Sequence, residues 1–106
     1  MLDRFTTTIP SVTVATAVAN SEEIMSGSYA GGMIFVPSGS TITTITWYAA
    51  EKAGGTYLAA YDADGVALTQ TVAASKAYEI PAALFGCRAI KAVGNAAGTL
   101  AISLKG

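Results

Sequence analysis

Thr41-Ile42-Thr43-Thr44-Ile45-Thr46-Trp47-Tyr48-Ala49-Ala50 is a run dominated by β-branched and aromatic side chains. Such residues favour a pleated, half-buried surface, and the run predicts a strand. Its apolar phase slips between Ile42 and Ile45. A β-bulge near Thr43-Thr44 would bring both isoleucines to the core side.

On the amino-terminal side, Met33-Ile34-Phe35-Val36 is short and unalternated, which predicts a strand covered on both faces. Pro37-Ser38-Gly39-Ser40 supplies the turn that ends it. On the carboxyl-terminal side, Glu51-Lys52-Ala53-Gly54-Gly55 reads as a hairpin loop returning through residues 56–61. Asp62-Ala63-Asp64-Gly65 reads as a second tight turn leading into residues 66–72, and two successive hairpins predict a meander.

Farther out the same grammar persists. Within residues 11–19, Val12, Val14, Thr16 and Val18 fall on one face of a strand pattern that Asn20-Ser21-Glu22-Glu23 breaks. A strand over residues 76–80 meets Pro81, Ala82-Ala83-Leu84-Phe85 suits one helical turn, and extended structure resumes over residues 87–93. Gly94-Asn95-Ala96-Ala97-Gly98 turns the chain into a final strand whose Leu100, Ile102 and Leu104 share a face. About eight short strands with turns every 8 to 12 residues predict an all-β fold, a single antiparallel β-sandwich or jelly-roll-like domain. It should span residues 11–106, with residues 1–10 as an extended amino-terminal arm that is either disordered or paired with a neighbour.

Composition narrows the function. The 106 residues contain no histidine, which removes the commonest general base and metal ligand. Cys87 and the serines therefore have no such base to activate them, and no phosphate-cradling glycine motif is present. The acids Asp3, Glu22, Glu23, Glu51, Asp62, Asp64 and Glu79 lie nearly all at expected turns, where little would split their pKa values into acid and base roles. Asp62-Ala63-Asp64-Gly65 resembles the start of a calcium loop, but it is short, and Asp-Gly is an ordinary hairpin turn. The reading is of a non-enzyme with no catalytic residues, no metal and no cofactor.

Lys and Arg are scattered, which argues against nucleic acid as a partner. The single cysteine allows no internal disulfide, and its apolar surroundings predict a buried, inert thiol. No apolar run is long enough for a spanning helix, and Met1-Leu2-Asp3-Arg4-Phe5 does not read as a signal peptide, which predicts synthesis in the cytoplasm and no membrane partner. Charged residues are only 12% of the chain and hydrophobic ones 52%. So few charges predict a surface partly covered by other subunits, a homo-oligomer or a larger assembly. Trp47, Tyr48, Tyr57 and Tyr61 are the candidate interface or ligand contacts, because aromatics on adjacent strands can meet a partner, stack a sugar or fill the core.

Phe35-Val36-Pro37-Ser38-Gly39-Ser40, Ile45-Thr46-Trp47-Tyr48, Gly54-Gly55-Thr56-Tyr57, Tyr61-Asp62-Ala63-Asp64-Gly65 and Tyr78-Glu79-Ile80-Pro81-Ala82-Ala83-Leu84-Phe85 leading to Ile90-Lys91-Ala92-Val93 form a recognisable series. Over residues 35–104 it resembles small β-sandwich virion structural proteins of tailed bacteriophages. The resemblance implies a virion component made in the host cytoplasm, often oligomeric. A capsid decoration, or cement, protein contacting the major capsid protein or other virion subunits is the first expectation. A tail- or fibre-associated module binding carbohydrate or a receptor is the alternative, and the absence of a fibre repeat favours the first.

Overall fold

In the computed structural model, which describes residues 6 to 105, the last strand shows the alternation most plainly. Leu100, Ile102 and Leu104 are buried, while Ala101 and Ser103 between them stay partly open. This strand, β9 (Gly98–Lys105), pairs antiparallel with β1 (Thr6–Val14) on one side and β3 (Gly31–Val36) on the other. β7 (Lys76–Glu79) adds to β3, giving a sheet of order β1-β9-β3-β7. The second sheet places β2 (Ile24–Met25) beside β8 (Ala89–Gly94), and β8 beside β4 (Thr44–Ala50). On the far side of β4 lie both β5 (Leu58–Ala59) and β6 (Thr69–Thr71).

β5 and β6 act as one interrupted strand. β5 covers the carboxyl-terminal half of β4 and β6 the amino-terminal half. Between them Trp47 joins the ladder from both sides, its carbonyl accepting from Ala60 N–H and its N–H donating to Leu68 O, each at 3.0 Å. With that position counted once, the pairs β1–β9, β2–β8, β3–β7 and β4–β5/β6 nest inside one another like a long hairpin folded over itself. Eight strand positions in two antiparallel sheets with this nesting make a jelly roll, a form of β-sandwich.

The core lies between the sheets. Val12, Ile34, Val36, Leu100, Ile102 and Leu104 from the first sheet meet Ile24, Ile45, Trp47, Ile90 and Ala92 from the second. Ile42, Val72, Ile80 and Leu84 from the connections complete it. Each large side chain contributes about 1.5–3 kcal/mol by leaving water. Gly32, like Gly94 and Gly98, is closely packed. A Cβ on Gly32 would stand 2.6 Å from the Ser103 carbonyl oxygen, so no other residue fits there without moving β3 off β9.

Several local expectations change. Met33-Ile34-Phe35-Val36 is not covered on both faces: Ile34 and Val36 are buried, but Met33 is 38% and Phe35 44% exposed. An apolar run carries no sign of which half faces water. The strand read into residues 11–19 ends at Val14, and Val18–Asn20 forms a single 3-10 turn. Ser21 Oγ accepts from Ala15 N–H at 3.2 Å and the Glu22 carboxylate takes Thr13 N–H, so side chains meet N–H groups on the free edge of β1 and just past its end. Ile42 and Ile45 both reach the core without a bulge inside the strand, because β4 begins only at Thr44. Asn95 Oδ1 accepts from Thr43 and Thr44 N–H at 2.9 and 3.1 Å and holds that entry. The meander is absent, since β5 and β6 both pair with β4 and residues 61–67 project from the sheet edge as a hairpin spur. At the amino terminus, residues 6–10 belong to β1, and Thr6 to Ile9 pair with β9 of the same chain, Thr6 opposite Lys105, whereas residues 1–5 lie outside the described residues.

Candidate functional site

The four candidate aromatics do not share a surface. Trp47 is 0% exposed, and its Nε1–H donates to Gln70 Oε1 at 2.7 Å. Gln70 Nε2 in turn donates to the Glu79 carbonyl at 2.7 Å. The indole thus fills the core, and its polar end anchors a bridge from β6 of one sheet to β7 of the other. Trp47 is a packing residue, not a platform for a sugar. Tyr48 points to the opposite face, half-buried beside its cross-strand partners Lys91 and Ala59.

Tyr57 sits in a latch built from three segments. Its hydroxyl donates to a Glu23 carboxylate oxygen that also accepts Gly54 N–H at 2.8 Å. Lys91 Nζ lies 4.5 Å from the centre of the Tyr57 ring, in cation–π range, and donates to the Val18 carbonyl at 3.1 Å. The latch ties the β4–β5 loop to the segment before β2. The Tyr57 hydrogen bond, then that of Gly54, and last the charge of Lys91 hold the Glu23 carboxyl below its ordinary range, against a small desolvation effect. Burial first, then the hydrogen bond and charge of Glu23, push the Tyr57 hydroxyl well above its usual value. A phenol so held keeps its proton at neutral pH and is a poor base or nucleophile.

Tyr61 is 59% exposed at the base of the spur, where it bridges to Ala67. Leu58 at 69% and Val66 at 59% exposure accompany it on this edge. At the tip, Asp62 Oδ1 accepts from Asp64 and Val66 N–H, both at 2.9 Å, so this carboxylate closes its own turn. Among the described residues no three His, Cys, Asp or Glu side chains gather as a metal site. Cys87 is half-buried rather than buried, its thiol 3.2 Å from the Leu84 carbonyl that accepts from it.

Sequence reasoning missed the outer face of the first sheet. Register puts Thr8, Ser103, Met33 and Glu79 in one cross-strand row and Ala101, Phe35 and Ala77 in the next. Met33 and Phe35 therefore stand as a ridge among short side chains. Two hollows adjoin the ridge. One, of about 540 Å³, is lined by Gly31, Met33, Glu79, Ser103 and Lys105 among others. The second, of about 190 Å³, lies among Pro10, Ser11, Phe35, Thr99 and Ala101. Reading the strand from Gly31 instead of Met33 would have lengthened the alternation, but not enough to say that its apolar half faces out.

Compared with protein-family models, curated proteins and solved structures, the chain matches none.

Proposed function

We propose that this chain is a non-enzymatic structural protein of a phage virion, a capsid decoration protein that stabilises the shell through protein–protein contacts. The observation that carries the reading is the bare outer face of the first sheet, where an exposed apolar ridge lies on a rigid ladder. Such a face offers buried area and shape rather than chemistry, which is what a shell-stabilising subunit needs. The jelly-roll topology supports the reading by analogy, since capsid domains use it, as do lectins. The partners are the major capsid protein or other virion subunits together with copies of this chain, with no cofactor, nucleic acid or membrane involved. The protein is made in the host cytoplasm and resides in the virion.

The lectin-like alternative, a tail-associated carbohydrate or receptor binder, draws its support from the exposed Tyr61 on the spur. One experiment separates the two. Purified protein is added to emptied phage shells stripped of accessory proteins, and binding and shell melting are followed. Saturable binding with a raised shell melting temperature is expected. Absence of binding, together with glycan-array signals lost on Tyr61→Ala, would replace the first reading with the second. Trp47→Ala is no use as the glycan control, because it empties the core.

A further inference from the structure

We infer that the outer face of the β1-β9-β3-β7 sheet is a two-fold self-interface, the surface through which two copies of this chain pair. The inference deepens the assembly reading above and shares with it the premise that this face is covered. The occupant follows from the shape of the face itself. Met33 and Phe35 project from β3, and beside them β9 presents Thr99, Ala101 and Ser103 on this side, with Lys105 at its end and the two hollows at Ser103 and at Ala101.

Two identical faces that meet are exchanged by an axis lying in the plane between them. An axis along the strands, midway between β3 and β9, keeps the strands aligned, as sandwich packing prefers. It sets β3 of each copy over β9 of the other at unchanged height. Register then decides what meets what. Met33, level with Ser103, arrives over Ser103 of the second copy, and Phe35, level with Ala101, over Ala101 of the second copy. Each knob enters a hollow of the other molecule, and both do so twice. The same operation brings Glu79 over Thr8 of the second copy, whose hydroxyl can donate to that carboxylate.

Charge and area agree with this occupant. On this face Glu79 lies in the Met33 row and Lys105 one step beyond it, opposite Gly31; the axis brings Lys105 of the two copies to the same height, with Glu79 of each copy one step along from Lys105 of the other to offset the two ammonium groups. Four strands about 4.8 Å apart and about seven residues long give a footprint of roughly 450 Å² per copy. The pair covers roughly 900 Å² before side-chain relief is counted, below the roughly 1,200 Å² at which standard specific interfaces begin, which predicts a weak, reversible dimer.

Sedimentation equilibrium of the purified full chain, up to about 1 mM, tests this. A monomer–dimer equilibrium is expected, weakened at least about tenfold by Phe35→Glu and equally by Ala101→Arg, which fills a hollow from the opposite side. Leu58→Ser, on the edge of the other sheet, should leave it unchanged. Circular dichroism melts confirm that each variant is folded. A monomer at the highest concentration, or a dimer indifferent to both face variants, would overturn the proposal. So would a chain lacking residues 1–5 that dimerises where the full chain does not, since the face would then belong to that segment. A monomer that still binds shells overturns the self-interface alone and hands the face to an unlike virion subunit. A dimer broken by the face variants and indifferent to shells overturns the decoration reading alone.

Discussion

β9 runs eight residues between two paired neighbours, whereas the strand position beside β4 is broken at residues 61–67 and filled by fragments of two and three residues. The outer sides of the two sheets diverge in the same way. The first sheet shows water mostly short side chains and the Met33–Phe35 ridge, with Glu79 and Lys105 toward one end. The second carries the Glu23–Tyr57–Lys91 latch and the spur. Polar side chains gather where the ladder is incomplete, because backbone groups that lose a strand partner must be met by something else. A complete ladder needs no such help, and its outer surface is left free for other uses.

The largest test of that contrast removes matched side chains from each sheet. Ile102→Ala, in the middle of β9, should cost about 4 kcal/mol in urea unfolding, because ladders on both flanks prevent collapse into the cavity. Ile24→Ala, in the two-residue β2, should cost about 2–3 kcal/mol, because a short strand relaxes more easily. Both residues are 0% exposed, so equal costs would break the comparison at its root.

A smaller effect is expected from the link between the sheets. Gln70→Ala leaves the Trp47 indole N–H without its acceptor and frees the Glu79 carbonyl, which should cost about 1–2 kcal/mol by the same measurement. Native-state hydrogen exchange should then show β6 opening before β9. Simultaneous opening would mean that the broken strand is as firmly held as the continuous one.

The smallest effect belongs to the latch. The folded carboxyl of Glu23 titrates below its ordinary 4.5, so its contribution is present above that pH and fades as pH falls through the folded value. Tyr57 titrates above its ordinary 10.0, so its contribution is full below that pH and fades as pH rises toward the folded value. The two shifts share the Tyr57–Glu23 hydrogen bond, although burial is the larger cause for Tyr57, and are not added. The pair lies near the surface, where solvent screens it, so Glu23→Gln should flatten the acid limb of the stability profile by no more than about 0.5 kcal/mol. A larger change would make the latch a principal support of the second sheet.

The regular sheet was the legible one. Alternation at Leu100, Ile102 and Leu104 marks β9 because side chains alternate faces in a pleated strand, and a strand paired on both sides obeys that rule throughout. Glu23, Tyr57 and Lys91 left no such mark. They lie far apart in sequence, and their meeting depends on how the second sheet is strung, which local pattern does not encode. Met33 and Phe35 failed for a different reason. Hydrophobicity reports that a side chain prefers to leave water, but the chain's own core and the face of a second molecule satisfy that preference equally well.

The spur at residues 61–67 leaves Ala60 and returns at Leu68, whose N–H donates to the Ala60 carbonyl at 2.9 Å. The sheet is therefore closed behind the excursion, and whatever the chain does beyond that bond is invisible to the core. Lengthening the tip at Ala63 should cost the exposed turn bonds to Asp62 and loop-closure entropy of about 0.6 kcal/mol for each doubling of the loop. In engineering terms this is a splice point: a foreign peptide grafted there would be carried outward from the edge of β4, away from the Met33–Phe35 ridge on the other sheet.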